Sequence, residues 1–283
     1  IKEAGDDPDI TDGIEVRASV RHSETFDILG GEGVGTITLP GFDYPPGSPA
    51  INKTPREMIR KNLLSLISHL CPLSVTISVP HGEEIARKTF NPRIGIEGGI
   101  SIIGVSGIVK PFSEDAFVDS IRRCMAVAKA SGTERVVINS GGKSERYVKC
   151  IYPDLPRQAF VEYGNYIGET LKIAHELGIR RVTLGVMLGK AVKLAQGHLD
   201  THSRKTVMDK AFILQMLREA DCDMDISDIS MARELWNRIP ANQIDDFVHT
   251  VIAYCYEHCL PLLPDGELTI LLIDDNGKIY GEV

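Results

Sequence analysis

Residues 164–187 read Gly-Asn-Tyr-Ile-Gly-Glu-Thr-Leu-Lys-Ile-Ala-His-Glu-Leu-Gly-Ile-Arg-Arg-Val-Thr-Leu-Gly-Val-Met. Positions 164–177 read as a helix that Gly178 ends, since glycine accepts the left-handed conformation that closes a helix. Positions 181–187 then form an apolar, β-branched run, which predicts a strand. A similar run at 134–139 comes earlier. Ahead of it, Ser113-Glu114-Asp115 starts a helix with acids in the first turn, where the helix dipole favours them, and Ser131-Gly132 stops it. Strand, helix and strand in this rhythm imply βαβ units and a parallel sheet. Farther on, 206–220, 229–238 and 242–260 are expected as helices. The runs 268–274 and 278–283 flank Asp275-Asn276-Gly277, a hairpin turn signal.

Before residue 112 the texture differs. Stretches 15–21, 35–39 and 74–80 alternate as half-buried strands do. Thr54-Pro55-Arg56-Glu57 reads as a capping box with proline at the first helical position. Met58, Ile59, Leu63, Leu66, Ile67 and Leu70 follow at helical spacing. Residues 94–111 interrupt β-branched positions with Gly95, Gly98, Gly99, Gly104 and Gly107. Glycines in a strand give no side chain to pack, so they signal bulges, turns or backbone lying close against a ligand. The Lys-Ser/Thr of a Walker loop is absent, and no clean strand–Gly-x-Gly-x-x-Gly–helix order is present.

The chain of 283 residues is long enough for two domains. Its 43% hydrophobic and 25% charged fractions are those of a globular protein, and a formal charge of −8 argues against a general nucleic-acid or anionic-membrane binder. No apolar run is long enough to span a bilayer, and no signal peptide is visible. The six scattered cysteines read as reduced thiols of a cytoplasmic protein. The sequence opens at Ile1 with no initiator Met, so an N-terminal piece ahead of it is expected.

Several segments could carry chemistry. Asp6, Asp7 and Asp9 crowd a turn, either as an Asx-type cap cluster or as a proton-handling or ligand site in which mutual repulsion raises one pKa. Arg93 beside glycine-rich backbone suits carboxylate recognition, or is a surface residue. Asn139-Ser140-Gly141-Gly142-Lys143 stands at the carboxyl end of a parallel strand, where open α/β sheets bind ligands, and Glu162–Tyr166 at the next junction could share that site. His198 and His202 lie four apart, but the flanking glycine and Asp200-Thr201 favour a loop in polar contact with substrate over a metal pair. Cys255-x-x-His258-Cys259 has no second half and reads as helix packing.

As a set, these segments resemble the CbiD family of cobalamin biosynthesis. The resemblance rests on Ala4-Gly5-Asp6-Asp7-Pro8-Asp9-Ile10-Thr11-Asp12-Gly13, Gly30-Gly31-Glu32-Gly33-Val34-Gly35, Pro49-Ala50-Ile51-Asn52 and Pro55-Arg56-Glu57-Met58-Ile59. It continues through Val79-Pro80-x-Gly82-Glu83-Glu84, Asn91-Pro92-Arg93-x-Gly95-Ile96-x-Gly98-Gly99-Ile100-Ser101-Ile102-x-Gly104 and Gly107-Ile108-Val109-x-Pro111. Lys193-Leu194-Ala195-x-Gly197-His198 and Thr201-His202-Ser203 also fit, so the match runs in order over roughly residues 1–205. The family pattern starts with a Thr-Thr-Gly-Thr-type segment and an alanine-rich helix, neither of which stands in this sequence.

The resemblance implies transfer of a methyl group from S-adenosyl-L-methionine to C-1 of cobalt-precorrin-5B, giving cobalt-precorrin-6A on the anaerobic route to vitamin B12. It implies an α/β and α+β fold in two domains. Residues 1–111 would form an α+β, substrate-binding domain with a glycine-rich sheet, and residues 112–283 an α/β, cofactor-binding domain with a parallel sheet. The acid-rimmed macrocycle needs N–H-rich backbone and placed cations, for which Arg93, Lys110, Lys143, Lys193 and Arg56 are candidates. Gly98, Gly99, Ser101, Gly104, Thr201 and His202 complete the expected substrate site. Asn139, Ser140, Gly141, Gly142 and Glu162 are expected to hold the cofactor. Asp6, Asp7 or His198 could take up a released proton. Cobalt would arrive with the substrate, so no protein metal site is expected. The partners are the corrinoid alone, with neither nucleic acid nor membrane; a homo-oligomer and transient contacts with neighbouring pathway enzymes are left open. Two alternatives stand beside this reading: a non-catalytic corrinoid carrier or scaffold, and an unrelated nucleotide-binding α/β enzyme.

Overall fold

A computed structural model describes residues 1–5, 9–66, 73–104 and 114–281, which group into two compact units, Ile1–Phe117 and Val118–Val283. Asp6, Asp7, Lys110, Gly107, Ile67 and Leu70 lie outside the described residues.

The first unit contains β1 (Arg17–His22), β2 (Asp27–Gly30), β3 (Thr36–Ile37), α1 (Lys53–Leu66), β4 (Leu73–Ser78), α2 (Gly82–Ala86) and β5 (Ile96–Glu97). Its three-stranded sheet runs β1-β4-β2, with β1 antiparallel and β2 parallel to the centre. Alternation along β4 buries Leu73, Val75 and Ile77. Those side chains share a core with Val34, Ile51, Val79, Ala86 and Ile100, against which Ile59 and Leu63 of α1 pack. The expected alternation fails in β1, an edge strand whose six residues are all exposed. Helix α1 begins at Lys53, so Pro55 sits inside the first turn rather than at its first position. Proline is tolerated there because the first turn's N–H groups have no intrahelical acceptor.

The glycine-rich segment is a backbone junction. A Cβ on Gly99 would stand 2.2 Å from the Gly33 carbonyl oxygen, and a Cβ on Gly82 would meet the same oxygen at 2.2 Å. Three chain segments thus meet where only hydrogen fits. Gly35 N–H bonds Ile100 O at 2.9 Å and Ile100 N–H bonds Gly33 O at 3.0 Å, tying the segments into a small ladder.

The second unit contains α3 (Glu114–Ala130), β6 (Arg135–Asn139), α4 (Gly142–Ile151), β7 (Phe160–Glu162), α5 (Ile167–Glu176), β8 (Arg181–Met187), α6 (Leu188–Ala195), α7 (Lys210–Glu219), α8 (Ile244–Cys259), β9 (Glu267–Ile273) and β10 (Ile279–Tyr280). The first turn of α3, residues 114–117, belongs by sequence to the other unit. The sheet order is β10-β9-β8-β6-β7; β6 to β9 are parallel and β10 closes antiparallel on β9. The parallel sheet and the closing hairpin agree with expectation. The segment 229–238 does not form an α-helix: Ala232–Asn237 is a 3-10 helix, stopped shortly before Pro240. Strands β6, β8 and β9 are buried on both faces, as parallel strands under helices must be. No helix among the described residues is long and apolar enough to cross a membrane.

Strand order decides where a ligand fits. From β6 the chain moves outward to β7, then returns past β6 to β8. The connections from β6 and from β8 therefore leave in opposite directions, opening a crevice at the carboxyl ends of these two strands.

Candidate functional site

The crevice is built from the end of β6. Asn139 is fully buried; its side chain accepts the Gly141 N–H at 3.1 Å and donates to Val161 O at 3.4 Å. It shapes the turn from below. Gly141 then adopts φ 146°, ψ −173°, a conformation that side chains rarely tolerate, and α4 begins at Gly142. The Ser140 and Ser144 hydroxyls lie 3.0 Å apart, and Ser144 Oγ donates to Gly141 O at 3.0 Å. Across from the turn, Glu162 pairs in register with Asn139 at the end of β7. An acid on the neighbouring strand, about 20 residues beyond a glycine turn into a helix, is the arrangement that holds a ribose in dinucleotide-binding folds.

The other wall comes from β8, which runs directly into α6. Lys190 in the first turn of α6 donates to Gly164 O and, at 2.7 Å, to Asn165 Oδ1, with its nitrogen 5.5 Å from the Tyr163 ring centre. Burial pushes the Lys190 ammonium down to about 8; Lys193 adds to the fall, while Glu162 and Asp200 oppose it. Lys193 reaches Thr201 O at 3.4 Å. Beneath them Tyr163 is fully buried, with its hydroxyl on Gly185 O at 3.3 Å and burial raising its pKa.

A loop closes the third side. Thr201 N–H donates to Asn165 O at 3.0 Å and Gly168 N–H to Leu199 O at 3.1 Å, seating residues 199–201 on the start of α5. Burial would raise the Asp200 carboxyl, but Lys205 at 2.9 Å and the His202 N–H at 3.1 Å outweigh it and hold it below its ordinary value. His202 Nδ1 accepts the Arg204 N–H at 3.1 Å, which leaves the ring proton of neutral His202 on Nε2.

Together these walls line an open cleft of about 410 Å3, bordered by Ser140, Asn165, Lys190, Lys193, Thr201 and His202 among others. That volume lies within the range of roughly 300–1,000 Å3 typical of small-molecule sites. Among the described residues no group of three or more His, Cys, Asp or Glu side chains is arranged to hold a metal ion.

The structure gathers Ser140, Lys193, Thr201 and His202 on one cavity; Asn139, Gly141, Gly142 and Glu162 stand at the neighbouring ends of β6 and β7 and are not among its lining residues. Lys143 instead pairs with Asp275 at 3.5 Å, and His198 is exposed and outside the lining. In the first unit, Ser101 Oγ bonds Asn91 Oδ1 at 3.1 Å, Asn91 bonds Gly99 O at 3.0 Å, and the Arg93 guanidinium lies 5.6 Å from the Phe90 ring centre. Gly98 and Gly104 have open space where a Cβ would stand. Arg56 donates to the carbonyls of Ile51, Ile28 and Pro49 and stacks on Tyr44 at 4.4 Å, so its guanidinium braces the first unit's own backbone. Cys255 and Cys259 are fully buried, as packing residues are, and burial pushes the Cys259 thiol up to about 12. The cavity residues absent from the sequence reading of the site are Met187, Gly189 and Lys190, and of these Lys190 carries charge. Its signal is a lysine just after a parallel strand's carboxyl end, obscured because no helix was expected at 188–195.

An open, chiefly parallel sheet with a polar cavity at its strand-order reversal defines an α/β unit with a candidate ligand site, following an α+β unit in the same chain. Residues 1–111 match the profile of the family named CbiD. A protein of Prosthecochloris aestuarii named cobalt-precorrin-5B C(1)-methyltransferase is 42% identical over 96% of this chain and 77% of its own length. Its namesake in Priestia megaterium is 39% identical over 94% of this chain and 75% of its own length. For the Thermus thermophilus namesake the figures are 44%, 78% and 60%. The crystal structure of the cobalamin biosynthesis protein of Archaeoglobus fulgidus is 27% identical, with a TM-score of 0.31, over 70% of this chain and 62% of that one. The chain belongs to the CbiD family.

Proposed function

We propose that this protein transfers a methyl group from S-adenosyl-L-methionine to C-1 of cobalt-precorrin-5B, and that the donor occupies the β6–β8 cavity. The methyltransferase activity is that of the relatives, whose shared name covers proteins alike over most of this chain. The single observation that carries the donor's place is the cavity at the strand-order reversal, with Gly141 on one strand end and Glu162 on the next.

The residues present fit such a donor. Glu162 can accept from a ribose diol, Gly141 lets a ligand approach the backbone, and about 410 Å3 accommodates a nucleoside far better than a whole corrinoid macrocycle. When bound, the donor supplies an electrophilic methyl group on a sulfonium. The chain's own part is to orient it, exclude water and present the acceptor carbon in line, which accounts for much of the rate in such transfers. Lys193, Thr201 and His202 offer donors to the acceptor's carboxylates at the same cavity. Cobalt belongs to the substrate. We read the protein as cytoplasmic.

Calorimetry of the full chain with S-adenosylhomocysteine tests the assignment. Binding that Glu162→Gln weakens supports it; no binding by the folded wild-type protein overturns it.

A further inference from the structure

Methylation of a ring carbon leaves a proton to be accounted for. The acceptor carbon forms the new C–C bond with a π electron pair, and the methyl–sulfur bond breaks with its pair remaining on sulfur. The acceptor, now one positive charge higher, regains its starting charge when an N–H or C–H bond conjugated with the methylated carbon breaks, its electron pair returning to the ring and its proton passing to a base. A side chain that takes this proton must line the cavity, offer a lone pair and exist partly unprotonated near neutral pH.

Among the described residues around the cavity, Lys190 meets these demands. Two of its hydrogens are committed to fixed acceptors, the Gly164 carbonyl and Asn165 Oδ1. An amine has two hydrogens and one lone pair, so in the neutral form both hydrogens are used and the lone pair is the one position left over. An ammonium in the same place carries a third hydrogen there, which it can give up to solvent after turnover. The groups facing Lys190 are Lys193 on its own helix, Glu162 at the end of β7, Asp200 in the 198–206 loop, and the fully buried Tyr163 ring. Asp200 already carries the Lys205 ammonium, which reduces its pull on Lys190. His202 lines the same cavity with Nδ1 occupied by the Arg204 N–H. Lys193 disfavours a second positive charge close by, and burial acts in the same direction.

We propose that Lys190 Nζ is the catalytic base that receives the proton released on methylation, a role that rests on the methyl donor occupying this cavity. Asn165 and the Gly164 carbonyl then act as positioning groups that aim the lone pair.

The test uses the full chain and begins without turnover. Competitive acetylation followed by mass spectrometry should show Lys190 titrating near about 8, against an ordinary lysine value of 10.5. Lys190→Arg retains donors for Gly164 and Asn165 but cannot lose its proton near neutral pH. It should bind S-adenosylhomocysteine within about twofold of wild type, while single-turnover methylation falls by about 10²–10⁴ and loses its alkaline-rising limb. Lys190→Ala, with room for an added alkylamine, should recover rate in proportion to the amine's basicity. Lys190→Arg with the wild-type rate and pH profile, Lys190→Ala without amine rescue, or a Lys190 midpoint in the ordinary lysine range overturns the role while leaving the donor site standing. Failure of the wild-type chain to bind S-adenosylhomocysteine removes both.

Discussion

The Glu162 carboxylate lies 3.4 Å from the point where a side chain on Gly141 would begin. The separation follows from register: Asn139 and Glu162 are partners across β6 and β7, and α4 begins at Gly142, three residues after Asn139. One strand end supplies an acid while its neighbour supplies bare backbone.

This contact separates two adjacent glycines. Gly141→Ala places a methyl against Glu162 in a conformation costing about 1–3 kcal/mol for a non-glycine residue, so S-adenosylhomocysteine binding and stability should both fall. Gly142→Ala meets nothing within 4 Å and should leave both near wild type. Calorimetry and thermal unfolding of the pair measure the contrast; equal effects would remove Gly141 from the site.

Glu162→Gln should weaken S-adenosylhomocysteine by about 10–100-fold, since hydrogen bonds to charged groups contribute about 1.5–3 kcal/mol. It should also lower the Lys190 midpoint, because Glu162 is one of two carboxylates that favour the ammonium. Affinity and lysine titration come from different measurements, so a shift in one alone would show that Glu162 serves only that role.

Gly99→Ala should destabilise the protein by about 1–3 kcal/mol, the usual cost of overpacking, because its Cβ would stand 2.2 Å from the Gly33 oxygen. Gly98→Ala has open space and only its φ of +77° to oppose it. Unfolding midpoints rank the two, and a Gly99→Ala protein as stable as wild type would mean the junction yields easily.

The 198–206 loop should depend on acid. The Asp200 carboxyl titrates below its unfolded value, so its contribution is complete above about 3.8 and disappears as pH falls through the lower folded value. Hydrogen exchange at the Thr201, His202 and Thr206 amides, taken relative to the intrinsic amide exchange rate at each pH, should therefore stay flat across neutral pH and accelerate in acid. Asp200→Asn should accelerate it at neutral pH as well; wild-type exchange in that variant would show that the carboxylate does not hold the loop.

Much of the second unit was legible because parallel strands buried on both faces read as unbroken apolar runs. The strands at 134–139 and 181–187 follow from that alone. Strand β7 escaped because three residues are too few to show a period. Helix α6 escaped because its first residue follows the last of β8, with no turn chemistry to announce it. In the first unit, the density of glycine pointed rightly to close approach, but Gly33, Gly82 and Gly99 approach one another. A sequence records that a side chain is forbidden without recording what forbids it. Arg56 shows the same limit: its charge was legible, while the three carbonyls that take its donors come from residues up to 28 positions away.

The direct passage from Met187 into Leu188 has a consequence for access. No loop separates Lys190 and Lys193 from β8, so the sheet itself fixes their backbone. The opposite wall is a loop, held through the Thr201–Asn165 and Gly168–Leu199 backbone bonds and the Lys193–Thr201 contact. Widening the cavity from that side breaks those few bonds and leaves the β8–α6 wall in place.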